Sequence, residues 1–199
     1  IFKEKNIIFF DNKGTILKFN EKSKIIWKHN YYTKSEKKLK PILFFGSNND
    51  YLFVADSISK YYALDIKSGK KMWSRTNSSP FNSQVKVYKD KFFVIDFENK
   101  LNCFSIIDGK KLWEFKSESS FIKSQKKLSI VITDNKVFFN NSIGDVTAID
   151  VDSGALIWQT PTQSNSVYED AFSLKTSDLV ADNISIFLSN NKNEFYSLN

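Results

Sequence analysis

Short apolar runs, rich in aromatic and β-branched residues, recur along the chain with polar turn residues between them. Such runs are typical of buried β-strands. They span residues 7–10, 52–55, 92–95, 137–140 and 186–189. No window keeps an apolar i, i+3, i+4, i+7 pattern for three turns, so the one helical element that we expect is a short turn within 34–40. The pattern predicts an all-β fold.

A polar pair follows each apolar run, consisting of an Asp or Asn and, three residues later, a residue that tolerates a left-handed backbone. The pairs are Asp11 and Gly14, Asp56 and Ser59, Asp96 and Asn99, Asn141 and Gly144, and Asn190 and Asn193. The Asx side chain bonds its own turn, and Gly or Asn adopts the positive φ that closes a tight hairpin. Five hairpins are therefore predicted, with Ser59 as the least suited member.

A second strand is predicted after each hairpin, with a small third residue in four of the five copies. The small residues are Ala63, Cys103, Ala148 and Ser197, and Lys18 is the exception. The next residue is large and apolar in every copy, namely Phe19, Leu64, Phe104, Ile149 and Leu198. The side chains thus alternate between two faces, as a strand requires, and the small ones let neighbouring sheets approach closely.

A third strand carries a tryptophan. The four tryptophans are Trp27, Trp73, Trp113 and Trp158, at intervals of 46, 40 and 45 residues. A fourth strand is predicted between each tryptophan and the next repeat, at 83–87, 128–132 and 177–180. Four strands in about 44 residues are the signature of a β-propeller blade. Residues 1–199 are therefore predicted to form about four and a half antiparallel blades, centred on the tryptophans, with a fifth, incomplete blade at 184–199.

Composition and charge narrow the function classes. With 41% apolar and 16% aromatic residues the chain can bury a core, and no stretch approaches the about 20 apolar residues of a membrane span. The net charge of +7 is spread along the chain. The clusters at 36–40 and 123–127 lack the pattern of a nucleic-acid module, so we expect solvated faces and no nucleic acid. Cys103 is the only cysteine and forms no internal disulfide.

The turn before each tryptophan carries a recognisable motif. Residues 63–73 and 148–158 both read Ala-x-Asp-x-x-Ser-Gly-x-x-x-Trp, residues 103–113 are a degenerate copy, and the copy ending at Trp27 has lost the glycine and one loop residue. The motif resembles the tryptophan-docking motif of the pyrroloquinoline-quinone-like repeat, and the resemblance covers essentially the whole chain. The Gly-His and Trp-Asp pairs of WD repeats and the paired glycines of kelch repeats are missing.

The docking residues are interpreted as structural. Glycine leaves room for an indole to lie against bare backbone, and one tryptophan per blade serves the ring rather than a single central site. The residues assigned to blade docking are Trp27, Trp73, Trp113, Trp158, Gly69, Gly109, Gly154, Asp65 and Asp150.

The resemblance implies two functional classes. One comprises quinoprotein dehydrogenases, which hold the quinone and calcium at the propeller axis and typically carry a vicinal cysteine disulfide, which Cys103 alone cannot form. Residues 150–154 look superficially like a calcium loop but fall on the docking turn, and His29 has no second His or Cys partner for zinc. We therefore assign no catalytic, cofactor-binding or metal-binding residue and expect no cofactor. A fragment of a quinone- and calcium-dependent dehydrogenase stays as an alternative.

The other class is the non-catalytic BamB type, a family of periplasmic lipoproteins of the outer-membrane β-barrel assembly machinery. The resemblance implies a protein-binding scaffold that binds the central barrel-assembly subunit or another protein, and that reaches the membrane only through a lipid anchor absent from this chain. Phe121, Ile122 and Lys123 are similar to the family's partner-binding loop. The family's acidic residues in the following loop are not matched at 172–175. Two alternatives stay open: Phe121 and Ile122 as core of the next blade, and a generic ligand- or peptide-binding propeller.

The length adds an expectation about assembly. An eight-bladed ring of this type needs about 350 residues, whereas the chain has 199 and starts at Ile1. We therefore expect a processed or trimmed part of a ring whose open ends lead either to self-association of two copies, completing a ring, or to aggregation.

Overall fold

A computed structural model of the chain describes residues 1–3, 5–117, 126–141, 144–162, 177–182, 184–189 and 194–198. Within these residues the strands form five antiparallel sheets that follow one another along the chain, and we call them blades 1 to 5. Each strand pairs with its neighbours in sequence, so every blade is a simple meander. The all-β fold that the sequence predicts is confirmed.

Blades 1 to 3 have four strands each. Blade 1 contains β1 (Phe2–Lys3), β2 (Asn6–Phe10), β3 (Thr15–Phe19) and β4 (Ile25–Asn30). Blade 2 contains β5 (Leu43–Ser47), β6 (Tyr51–Asp56), β7 (Lys60–Asp65) and β8 (Lys71–Thr76). Blade 3 contains β9 (Lys86–Tyr88), β10 (Lys91–Ile95), β11 (Lys100–Ser105) and β12 (Lys111–Lys116). In each of these blades the tryptophan lies on the last strand, at the edge of the sheet.

Blades 4 and 5 repeat this order, with three strands described in blade 5. Blade 4 contains β13 (Ile130–Thr133), β14 (Lys136–Asn140), β15 (Val146–Asp150) and β16 (Leu156–Thr160). Blade 5 contains β17 (Val180–Ala181), β18 (Ile186–Ser189) and β19 (Phe195–Leu198). A short helix, α1 (Lys34–Lys38), lies between blades 1 and 2, inside the segment where the sequence predicts a turn of helix.

The predicted hairpin residues adopt the backbone that the turns need. Gly14, Ser59, Asn99 and Gly144 all have positive φ, between 58° and 91°. Ser59 adopts φ +74° although serine rarely does so, because Asp56 Oδ1 accepts the amides of Ile58 and Lys60 and fixes the turn. The fifth pair, Asn190 and Asn193, lies outside the described residues.

The core lies between the blades, because both faces of the middle strands are buried. On β6, Leu52 and Val54 pack toward blade 1, while Phe53 and Ala55 pack toward blade 3. Successive side chains of a strand point to opposite faces, so one strand contributes to two interfaces. This explains why the apolar runs in the sequence are continuous rather than alternating.

The innermost strands begin later than the sequence predicts. The predicted strands 83–87, 128–132 and 177–180 correspond to β9, β13 and β17, which start three, two and three residues further on. The residue Ser83, just before β9, bonds across blades instead, through an isolated parallel bridge with Leu128. Within blade 3, Ser83 Oγ also accepts the Ile95 amide at 2.7 Å. Sequence periodicity does not distinguish such cross-blade bonding from a ladder within one sheet.

Blade 1 leaves one sheet face uncovered. Ile7 and Phe9 are 50% and 45% exposed, whereas their counterparts Leu52 and Val54 in blade 2 are buried against blade 1. With Phe2 and Phe19 they line a shallow groove on this face. The expected self-association through open ends stays a prediction.

Candidate protein-binding face

The tryptophans dock each blade onto the turn of the following blade. Trp73 Nε1 donates to the Ile106 carbonyl at 3.1 Å, and a Cβ added to Gly109 would lie 2.6 Å from the indole. The same geometry joins the other described pairs. Trp27 meets Ile66 and Gly69, and Trp113 meets Val151 and Gly154. Each indole therefore lies on bare glycine backbone, which a side chain would displace.

The small residues of β7, β11 and β15, the strands next to the tryptophan strands, lie directly opposite the tryptophans within the same sheet. Ala63 pairs with Trp73, Cys103 with Trp113 and Ala148 with Trp158. All three small residues are fully buried. Their size leaves room for the indole on the shared face of the two strands. In blade 1 this position is Lys18, which is also buried and whose Nζ donates to the Ile66 carbonyl at 2.9 Å, next to the Trp27 indole.

The carboxylates that recur in the two full copies of the motif belong to the turn itself. Asp65 accepts the amide and the hydroxyl of Ser68 at 2.7 and 2.6 Å, and Asp150 bonds Ser153 in the same way. The hydrogen bonds from Ser68 hold the pKa of Asp65 below its usual value. Asp152, the other carboxylate of the calcium-like loop, accepts from Asn135 and from Lys91. These oxygens close turns and join blades.

One end of the blades carries both the hairpin turns and the connections between blades. Thr76, where β8 ends, pairs with Lys60, which follows the hairpin turn, and Leu43, where β5 begins, pairs with Asp56, which precedes that turn. The chain therefore enters and leaves each blade on the side of this turn. We call this side of the molecule the loop face.

A buried carboxylate anchors the connection on the loop face between blades 1 and 2. Tyr32, in that connection, donates its hydroxyl to Asp56 Oδ2 at 2.6 Å, and the Tyr62 hydroxyl lies 3.3 Å from the Tyr32 hydroxyl. Burial raises the pKa of Asp56 and also the pKa of Tyr32. This network ties the connection to the second blade and involves no residue that the motif analysis singled out beyond Asp56.

The same connection, residues 31–42, forms a strap that joins two blades. Glu36 on α1 pairs with Lys60 at 2.9 Å, and the Ile42 amide donates to Ser57 Oγ at 2.9 Å. At the blade 1 end, a Cβ on Gly14 would lie 2.6 Å from the Tyr32 ring. The strap is thus fixed at both ends, with α1 held over the hairpin turn of blade 2.

The sequence-predicted site residues fall into three groups. The docking tryptophans of blades 1 to 3 and the three docking glycines lie at blade interfaces, Asp65 and Asp150 close their turns, and Trp158 lies opposite Ala148 and packs against the cluster that includes Leu179 and Ile186 of the last blade. The partner-binding residues Phe121, Ile122 and Lys123 lie outside the described residues, so their placement on a loop or in a core stays a prediction. Cys103 is a buried free thiol whose pKa burial raises to about 12, and His29 stacks on Trp27. The strap and the Tyr32–Asp56 anchor were missed, because their partners are 24 residues apart in the sequence.

The described part of the chain gives no metal site of the usual kind. No three side chains of His, Cys, Asp or Glu among the described residues come together as ligands would. The same residues include no helix with the length and apolar character needed to cross a bilayer.

Solved structures share this architecture. BamB from Moraxella catarrhalis is 16% identical with a TM-score of 0.71, and the match covers 100% of this chain and 59% of that one. The quinohemoprotein alcohol dehydrogenase from Comamonas testosteroni is 12% identical with a TM-score of 0.72, covering 98% and 40%. The Cps50 (Swd1) β-propeller domain from Myceliophteria thermophila is 14% identical with a TM-score of 0.68, covering 96% and 60%. Among curated proteins none matches the chain.

The sheets, the docked tryptophans and the glycine turns together define a β-propeller of the quinoprotein-repeat type. A family model described as outer membrane protein assembly factor BamB matches residues 12–199, nearly the whole chain. The chain therefore belongs to the BamB family. It spans 59% of the length of the Moraxella BamB chain.

Proposed function

We propose that this chain is part of a non-catalytic scaffold that binds protein partners during the assembly of outer-membrane β-barrel proteins. The observation that carries the proposal is the family match over residues 12–199. The blade interfaces support it, because indoles, glycines and aromatic side chains occupy them and hold the ring, while the loop face stays available for binding. On this proposal the function needs a rigid platform and no reacting group.

The partner that we propose is the central barrel-assembly subunit, on the periplasmic side of the outer membrane. The full-length protein would be held there by a lipid anchor outside this chain. The loop after Trp113 supplies the contacts on this proposal, with Phe121 and Ile122 as apolar groups and Lys123 as the basic group. An apolar side chain beside a cation is a common kind of interface contact, since the first gives burial and the second orients an acidic partner.

Copurification of the tagged protein with the barrel-assembly subunit tests this proposal. Capture of the subunit, reduced about tenfold by Lys123→Glu, is the expected result, because charge reversal places two like charges together. The control is Lys67→Glu on the docking turn of blade 2, which changes the net charge equally at a site outside the assigned loop. If the subunit is not captured at all, the assembly role is wrong; if Lys123→Glu binds normally, only the assigned loop is wrong.

Two further functions deserve a direct test. A quinoprotein dehydrogenase shares the fold, but the described residues do not fit a quinone and calcium site: Cys103 is buried opposite Trp113, without a second cysteine beside it. We derive no catalytic step. Dye-linked alcohol oxidation by the full-length protein with added quinone and calcium would overturn the non-catalytic proposal.

A generic ligand- or peptide-binding propeller differs from the scaffold in its partner, which the copurification identifies.

A further inference from the structure

In the strap, residues 31–42, the negative charge faces the blade and positive charges face away from it. Its only carboxylate, Glu36, points toward the blade and pairs with Lys60, whose Nζ also donates to the Tyr31 carbonyl at 3.1 Å. Lys34 and Lys38 are one helical turn apart on α1 and are exposed on the side opposite Glu36, whereas Lys37 lies on the flank of α1 and is half-buried. The strap therefore presents its positive charge outward and neutralises only its inner side.

Some lysines of the described chain have carboxylate partners, whereas none of the four lysines of the strap has one. Lys91 pairs with Asp90 and Asp152, and Lys111 pairs with Glu114. Within the described residues, no ion pair is formed by the four strap lysines, which are Lys34, Lys37, Lys38 and Lys40. Their ammonium groups can therefore form ion pairs with another molecule, and the fixed backbone of the strap holds them close together.

Two apolar side chains are exposed at the end of this basic segment. Leu39 is 65% exposed and Ile42 is 55% exposed, although Pro41 between them is buried. The hydrogen bond from the Ile42 amide to Ser57 and the burial of Tyr32 fix the backbone on both sides. A partner that covers Leu39 and Ile42 would therefore meet an ordered surface and would not have to order a loop.

We propose that the strap patch, formed by Lys34, Lys37, Lys38, Leu39, Lys40 and Ile42, is a docking site for an acidic protein segment that carries apolar side chains. The four unpaired lysines attract and orient the carboxylates, and the partner's apolar side chains bury Leu39 and Ile42. The inference rests on the proposed function only in taking the partner to be a protein. It adds a second contact surface, on blades 1 and 2, to the loop after Trp113.

The patch fits a protein better than it fits a membrane or a single-stranded nucleic acid. Membrane-surface helices carry a long apolar face with aromatic anchors, whereas α1 has five residues and the patch has two aliphatic side chains. Nucleic-acid grooves stack bases on exposed aromatic rings. The aromatic residues of the strap are engaged elsewhere: Tyr32 is buried on Asp56, and the Tyr31 hydroxyl donates to the Gly69 carbonyl.

Binding of a fluorescent synthetic peptide of alternating glutamate and leucine to the whole chain tests the proposal. The double variant Lys37→Glu with Lys38→Glu should bind about tenfold more weakly at physiological ionic strength, because two attractive pairs become repulsive. Lys67→Glu with Lys70→Glu is the matched control, since it changes the net charge equally on the docking turn of blade 2 and should bind normally. Unchanged thermal unfolding of both variants shows that the fold is retained.

A second variant and two further ligands test whether apolar contacts contribute to binding and whether the patch prefers a peptide to a lipid surface. Leu39→Ser should weaken binding about fivefold without changing any charge, since less apolar surface is buried. A peptide with serine in place of leucine should bind the wild-type chain more weakly still. Equal losses in both double variants, equal binding of the serine peptide, or preferred binding to phosphatidylglycerol vesicles would each overturn the proposal. Peptide binding without capture of the barrel-assembly subunit would instead count against the proposed function alone.

Discussion

The interface between blades 1 and 2 and the interface between blades 2 and 3 share one docking motif but fill the space around it differently. At the first, Trp27 shares the Ile66 carbonyl with the ammonium of Lys18, at 3.3 and 2.9 Å. At the second, Trp73 has Ala63 opposite it and stacks on Phe92 with ring centroids 5.9 Å apart. The first indole therefore has a flexible polar neighbour, and the second has rigid aromatic neighbours.

The loop-face ends of the two interfaces also differ. Asp56 accepts a tyrosine hydroxyl, from Tyr32, while Asp96 accepts the side-chain amides of Asn77 and Asn102 at 3.2 and 3.3 Å. Asn102 Oδ1 is buried and has no hydrogen-bond partner among the residues that the structure describes. The motif thus fixes the turn and the indole, whereas the neighbouring positions vary, and each interface should respond differently to the same substitution.

Replacing the tryptophans should give the largest effect. Trp73→Ala should lower the free energy of unfolding by about 3 kcal/mol, since it leaves a cavity among Phe53, Phe92 and Tyr61, whose rings cannot collapse into it. Trp27→Ala should cost about 1 kcal/mol less, because the long side chain of Lys18 can move into part of the space. Urea unfolding followed by circular dichroism measures both. A larger loss for Trp27→Ala would show that the aromatic neighbours of Trp73 are not what distinguishes the interfaces.

Alanine at the docking glycines should have the next largest effect. Gly109→Ala should cost about 2 kcal/mol, because φ +69° is strained for alanine and the new Cβ would lie within 3 Å of three atoms of the Trp73 ring. At Gly69 the new Cβ would lie within 3 Å of only two atoms of the Trp27 ring, and the nearest atom belongs to the exposed His29 side chain, which can move aside, so Gly69→Ala should cost slightly less. Thermal unfolding of the two variants compares them, and equal losses would mean that backbone strain outweighs the ring contact.

The sequence was informative where an interaction is local and repeated. The Asx turns, the tryptophan spacing and the glycine four residues before Trp73, Trp113 and Trp158 depend on short-range geometry, so the fold and the docking residues could be predicted. The anchor between Tyr32 and Asp56 and the hydrogen bond from Lys18 to Ile66 join residues 24 and 48 positions apart. Each occurs at one interface only, so no periodic signal marks it. The late start of β9 has the same origin, since Ser83 bonds another blade.

The smallest effect expected is at the loop-face anchors, and it depends on pH. Asp56→Asn should cost about 0.5 kcal/mol at neutral pH, because an amide oxygen can still accept the two turn amides, as Asn141 accepts the Asp145 amide in blade 4. Asp96→Asn should cost about 1 kcal/mol more, since its new NH₂ group would meet the two NH₂ groups of Asn77 and Asn102. Urea unfolding at neutral pH measures this difference, and equal costs would contradict it.

The cost of Asp56→Asn should depend on pH, because folding shifts the pKa of Asp56, and the direction of that dependence tests the difference between the two anchors. Burial raises the pKa of Asp56 in the folded chain, so the folded state binds its proton more readily than the unfolded state does. The stability that Asp56 contributes is therefore greatest below its unfolded pKa, near 3.8, and is lost as the pH rises through the raised folded value. The cost of Asp56→Asn relative to wild type should accordingly grow as the pH is lowered from 7 toward 4, in urea unfolding at several pH values. A cost that shrinks on acidification would mean that the hydrogen bond from Tyr32, rather than burial, dominates the energetics of this carboxylate, and that the two anchors differ less than their surroundings imply.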